Sequence, residues 1–102
     1  MNEKLPSFLP YGRQAIDESD IAAVAKVLRG DWLTGGPTVA AFEEALAKKV
    51  SAAHAVACAN GTAALHLAAL ALKLGPRDAV IVPTMTFLAT ANAARFVGAE
   101  VI

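Results

Sequence analysis

Apolar residues in the first half of the chain recur at helical spacing. Ile21, Val24 and Leu28 follow the i, i+3, i+4 rule, and Gly30 ends the run. Asp17 stands where an N-cap belongs, with Asp20 three residues on, and Ile16 just before it is placed to staple onto Ile21. After a loop from Asp31 to Pro37, a second stripe of Val39, Phe42, Leu46 and Val50 predicts another helix. Glu43, Glu44, Lys48 and Lys49 fall on its other faces, and Glu44 and Lys48 are four apart in the favoured orientation. Residues 1–13 hold Pro6, Pro10 and Gly12 with no helical period, which predicts an extended arm. From residue 54 the pattern changes. His54 to Cys58 reads as a short apolar strand, Thr62 to Leu74 as a helix stopped by Gly75-Pro76, and Ala79 to Val82 as a second strand. Phe87 to Val97 then predicts a helix, and Val101-Ile102 the start of a third strand. Strand, helix, strand, helix, strand implies a mostly parallel sheet with crossover helices, an α/β fold. The expected organisation is one partial domain over 1–102: arm and two helices in 1–53, alternating elements in 54–102.

Composition sharpens this picture. At 102 residues the chain holds one domain at most. Its apolar share is 56%, with alanine the largest part, and alanine packs elements closely while contributing little area. Such a chain suits a piece of a larger α/β body better than a self-contained unit. Its last residues read as a parallel strand stopped at its second apolar position, so we expect a cut segment of a longer protein. Nine Lys plus Arg balance nine Asp plus Glu, which lacks the basic footprint of proteins that track nucleic acid or anionic membranes. A lone Cys58 closes no internal disulfide, the first residues show no apolar signal core, and no apolar run approaches the roughly 18 residues of a spanning helix. The expectation is a cytoplasmic protein with no nucleic-acid or membrane partner.

In open parallel sheets, ligands gather beyond the carboxyl ends of the strands, where loops converge and helices point their amino ends. Ala59-Asn60-Gly61-Thr62-Ala63 is one such loop. Gly61 allows close approach of the backbone, and the amides of Thr62, Ala63 and Ala64 with the Thr62 hydroxyl form a cradle for an anion such as phosphate. The same residues also read as a tight turn plus a helix cap. Pro83-Thr84-Met85-Thr86-Phe87 is the second loop: Pro83 ends the strand, and Phe87 is either an aromatic plane facing a bound ring or an ordinary core phenylalanine. Asp31-Trp32-Leu33-Thr34-Gly35-Gly36-Pro37 could line a polar substrate or merely connect two helices. Neither a Walker loop nor a GxGxxG fingerprint is present. His54 and His66 lack partners at metal-ligand spacing, and Cys58 in an apolar strand reads as a small buried side chain. We therefore expect no metal and no thiol chemistry.

Three strings in order carry a resemblance: Gly30 to Pro37, His54 to Ala68, and Ile81 to Asn92. Together they resemble the amino-terminal quarter of the DegT/DnrJ/EryC1/StrS sugar aminotransferases. Within that family the look is nearest to enzymes that aminate UDP-linked 4-keto-6-deoxy sugars on the way to pseudaminic acid. The resemblance implies the amino-terminal part of the large domain of a fold type I transferase dependent on pyridoxal 5'-phosphate (PLP). It implies that Thr62 and Ala63 hold the cofactor phosphate and that Phe87 stacks on the pyridine ring. It further implies that Tyr11, Asp31, Trp32 and Thr34 line a nucleotide-sugar site, with Gly61 close to the substrate. Asn60 departs from the serine often found before that glycine.

Transamination also needs a lysine to hold the cofactor as a Schiff base and an acid against the pyridine nitrogen. By the resemblance, both lie beyond Ile102. Lys4, Lys26, Lys48, Lys49 and Lys73 do not match the expected setting, so the segment alone is expected to be inactive. The resemblance also implies a homodimer, an amino donor such as glutamate, and a first strand that pairs with one contributed late in the chain. A dehydratase on the same scaffold, with histidine for lysine, and a non-catalytic dimerisation or ligand-binding module are the alternatives.

Overall fold

The computed structural model describes residues 11–102. The chain divides into two compact units, Met1–Phe42 and Glu43–Ile102. Most of the arm expected over residues 1–13 lies outside the described residues.

In the first unit, α1 spans Glu18–Leu28. Its start is a full capping box: the Asp17 carboxylate accepts from the amides of Ser19 and Asp20, and Asp20 accepts from the Asp17 amide at 3.0 Å. The helix closes at Arg29, and the Gly30 amide donates to the Val27 carbonyl. Helix α2, Pro37–Lys49, begins in the first unit and passes into the second at Glu43; it opens on a proline, whose missing N–H costs nothing in a first turn.

In the second unit, α3 spans Gly61–Ala71 and α4 Ala89–Phe96. Strands β1, Ala79–Val80, and β2, Glu100–Val101, pair in parallel with Ala79 opposite Glu100 and Val80 opposite Val101. The ladder runs further than those bounds: Glu100 donates to Asp78, Ile102 to Val80, and Val82 to Ile102. A strand, crossover helix and parallel strand are therefore in place, as the alternating pattern predicted. Residues 54–58 correct that pattern. They form no ladder among the described residues, because a strand exists only against a neighbouring backbone. In place of a ladder partner, the Ala57 amide donates to Glu43 Oε1 at 2.7 Å.

Helices α2, α3 and α4 end alike. Ala52 bonds back to Ala47 and Ser51 to Lys48; Leu74 to Ala69 and Lys73 to Leu70; Ala99 to Ala94 and Gly98 to Arg95. Each is a Schellman motif with a left-handed residue at its hinge: Ser51 at φ 55°, Lys73 at φ 57° and Gly98 at φ 83°. Helix α3 thus stops at Lys73, before the Gly75-Pro76 pair expected to stop it.

Among the described residues, the buried ones are alanines: Ala47, Ala69, Ala89, Ala93, Ala94 and Ala99. Single methyl groups let α3 lie close on α4 and α4 close on β2. His66 stacks on Phe96 across the two helices, centroids 5.2 Å apart and planes tilted by 58°. No helix among the described residues is long and apolar enough to cross a membrane.

Candidate functional site

The first turn of α3 holds the donors that the sequence singled out. Asn60 is its N-cap, with extended backbone, and its Oδ1 accepts from the Ala63 amide at 2.9 Å. The Asn60 carbonyl accepts from the Ala64 amide, which begins the helical ladder. Ala63 and Ala64 are therefore already engaged, which corrects the expected cradle of Thr62, Ala63 and Ala64 amides. Among the described residues, the amides of Gly61 and Thr62 have no acceptor, and they are the orphan donors every helix start leaves. A side chain on Gly61 would meet nothing within 4 Å, so the backbone there is open to close approach. The half-buried Thr62 adds its hydroxyl. Two aligned N–H groups, a hydroxyl and the positive end of an eleven-residue helix suit a phosphate.

Phe87 lies at the same end of the unit. The turns after α3 and α4 are neighbours: a Cβ on Gly98 would stand 3.1 Å from Pro76 Cγ, and one on Gly75 3.9 Å from the Val97 carbonyl. Leu65, near the start of α3, shares a hollow with Ile81 and Val82 at the end of β1 and with Thr90 in the first turn of α4. The two helices therefore run the same way, with both amino ends at the carboxyl edge of β1. Phe87 stands two residues before α4 there and is 77% exposed within this chain. Its carbonyl accepts from the Thr90 amide, and the Thr86 and Thr90 hydroxyls are 2.9 Å apart, which ties the loop to α4.

Tyr11, Asp31, Trp32 and Thr34 belong to the first unit, and all four are exposed. Asp31 and Trp32 line a hollow of about 410 Å³ with Lys26, Val27, Pro37 and Thr38. Its shape depends on Gly36: at φ 76°, a Cβ there would stand 2.9 Å from Trp32 Cβ. Cys58 corrects its expectation, being exposed, with Sγ 3.4 Å from the Asn60 carbonyl, because the segment that carries it has no sheet to be buried in.

The fold is an α/β unit whose α3 start leaves two amides free, and it matches part of a fold type I domain. The chain belongs to the DegT/DnrJ/EryC1/StrS aminotransferase family, whose model matches residues 14–102. It is 48% identical over 93 residues to the UDP-4-amino-4-deoxy-L-arabinose–oxoglutarate aminotransferase of Shewanella sediminis (strain HAW-EB3), covering 91% of this chain and 24% of that protein. Among solved structures it superposes on Spr1654 of Streptococcus pneumoniae, described as a sugar aminotransferase, in its PLP form. There the TM-score is 0.81 at 35% identity, over 92% of this chain and 24% of the other. DesV of S. venezuelae gives a TM-score of 0.72 at 38% identity, over 80% of this chain and 22% of the other. The chain thus spans about a quarter of the length of these relatives.

Proposed function

We propose that the intact protein carrying this chain is a PLP-dependent aminotransferase that converts the 4-keto group of a UDP-linked sugar to an amine, with glutamate as donor. The observation that carries the reading is the α3 start, where two unpaired amides and a hydroxyl stand together, with Phe87 exposed in the loop that leads into α4. This donor set fits the coenzyme: the Gly61 and Thr62 amides and the Thr62 hydroxyl would hold its phosphate, in the turn that Ala63 completes. The Phe87 face would cover its ring. When bound, the coenzyme supplies the electron sink that lets an amino group pass from amino acid to keto sugar.

The rest of the reading concerns what these residues hold and keep dry. A flat side chain over the ring fixes its tilt and excludes water from one face. Tyr11, Asp31, Trp32 and Thr34 would line the nucleotide-sugar side, and Gly61 leaves room for the substrate. The lysine that anchors the coenzyme and moves the proton lies outside this chain, so the segment alone is inactive. A second copy completing the site as a homodimer, and a cytoplasmic setting for a chain with one cysteine, follow from the same reading.

The sugar class is supported by two observations: the resemblance of the three strings to 4-keto-6-deoxy sugar aminotransferases, and the 48% identity to an enzyme whose name joins UDP, a 4-amino sugar and oxoglutarate. The test incubates the purified intact protein with glutamate and a UDP-linked 4-keto-6-deoxyhexose, or the corresponding 4-keto pentose, and weighs the products. Gain of an amine with release of oxoglutarate is expected, with the 6-deoxyhexose preferred. Loss of a hydroxyl without amination would make the protein a dehydratase. Absence of any saturable PLP binding would end the proposal.

A further inference from the structure

We infer that Glu43 is a positioning residue for the phosphate-binding turn, acting through the backbone of Ala57. The inference rests on the reading of that turn as the coenzyme's phosphate site. Glu43 lies on α2, and its Oε1 accepts the Ala57 amide at 2.7 Å across fourteen residues of chain. Every other side-chain hydrogen bond among the described residues spans four residues or fewer. The bond is therefore the one side-chain tie in the second unit that reports tertiary placement rather than local turn geometry.

Its position along the chain gives it leverage. Ala57 belongs to the 54–58 segment, which forms no ladder among the described residues and whose one side-chain anchor to another element there is Glu43. Three residues later comes Asn60, whose Oδ1 holds the Ala63 amide and whose carbonyl holds the Ala64 amide. Between them the Cys58 thiol reaches the Asn60 carbonyl at 3.4 Å. Glu43, Ala57, Cys58 and Asn60 thus form a continuous series of anchored points leading to the two amides of Gly61 and Thr62. An ionised carboxylate suits the first of them, since a charge-assisted bond is shorter and about twice as strong as a neutral one. Both Glu43 and Ala57 are half-buried, which limits competition from water. The α2 end is itself held by its Schellman turn at Ser51, so the carboxylate projects from a rigid base.

The test compares Glu43→Ala, which removes the acceptor, with Glu43→Gln, which keeps an Oε1 in place, in the intact protein. Amide hydrogen exchange is read at Ala57 and Ala63, with Ala47 in α2 and Ala93 in α4 as internal references, and PLP affinity is measured by fluorescence titration. In Glu43→Ala we expect exchange at both Ala57 and Ala63 to quicken at least tenfold while Ala47 and Ala93 hold, and PLP affinity to fall about tenfold. Glu43→Gln should restore all three to within about threefold. Faster exchange at Ala57 with Ala63 unchanged would overturn the inference, because the turn would then be set without Glu43. Equal acceleration at all four amides would overturn it too, making Glu43 a general stabilising residue. If Ala57 and Ala63 respond as expected but the parent protein shows no PLP affinity, the positioning stands and the cofactor reading falls.

Discussion

Asn60, Gly61 and Thr62 divide one task. Asn60 spends its side chain on the Ala63 amide, which leaves the Gly61 and Thr62 amides without an acceptor among the described residues. The turn with a helix cap is present, and it leaves two free donors that the anion reading would need. If the Thr62 hydroxyl meets the phosphate, Thr62→Val should cost about 1.5–3 kcal/mol of cofactor binding, a bond to a charged group. By equilibrium dialysis that is a rise of roughly ten- to a hundredfold in the PLP Kd; an unchanged Kd removes Thr62 from the site. Gly36 is constrained by a neighbouring side chain. Gly36→Ala places a methyl 2.9 Å from Trp32 Cβ on a backbone at φ 76°, so either Trp32 or the backbone must move. Trp32 fluorescence should shift in that variant, and the effect should vanish for Gly12→Ala, where nothing lies within 4 Å. What sequence could say about these residues was limited by what is local. Gly61, Thr62 and Phe87 stood out because a glycine before a helix and an aromatic after a strand are patterns within one loop. Glu43 did not, since its partner is fourteen residues away and a glutamate on a polar helix face carries no mark of an acceptor.

Among the elements, α1 was legible to the residue because all of its capping box lies within four positions of Asp17. That cap also has a pH signature. Hydrogen bonds from the Ser19 hydroxyl and then the Asp20 and Ser19 amides hold the Asp17 carboxyl below its ordinary value, outweighing desolvation. A carboxyl lowered on folding lends stability that is complete above its unfolded value, near 3.9, and is lost as pH falls through the lower folded value. Helix α1 should therefore hold its content down to about pH 4 and fray below it, as followed by NMR shifts of Ser19 and Asp20. Asp17→Asn, which keeps an acceptor but does not titrate, should flatten the profile. The carboxyl ends were harder to read. Lys73 and Ser51 take left-handed backbone that favours glycine, so the end of α3 carries no composition signal and the expected boundary slid to Gly75. Lys73→Gly should relieve about 1 kcal/mol of that strain, raising the denaturation midpoint of the intact protein. The 54–58 segment could not be settled locally either: its alternation says extended, while a ladder depends on a partner that no local pattern names.

For the molecule as a whole, the distribution of large and small apolar groups carries the argument. Within Glu43–Ile102 the buried side chains are alanines, while Ile81, Met85, Phe87 and Leu88 stand 68–94% exposed and Leu72 and Val56 more than 70%. Burying one leucine- or phenylalanine-sized side chain is worth about 1.5–3 kcal/mol, several times what a single methyl contributes. The side chains with most to gain are thus the ones left in solvent, and they cluster in the 81–88 segment at the carboxyl edge of β1, where the proposed cofactor would sit. Helix α1 repeats the pattern, with Ile16, Ile21, Val24 and Leu28 along an open apolar groove of about 420 Å³. The relatives of which this chain spans about a quarter have further backbone that can lie on such surfaces and pair with a segment like 54–58. The consequence is measurable. The 102-residue chain by itself should bind a hydrophobic dye strongly and melt without a sharp transition, because methyl-sized burial cannot offset the ordering of its backbone. The intact protein should bind little dye and unfold cooperatively, with Val56, Ile81 and Phe87 protected from surface labelling. A sharp, dye-free transition for the isolated chain would instead make it a self-sufficient module, and would shift the weight of the site from catalysis toward simple capture of a phosphorylated ligand.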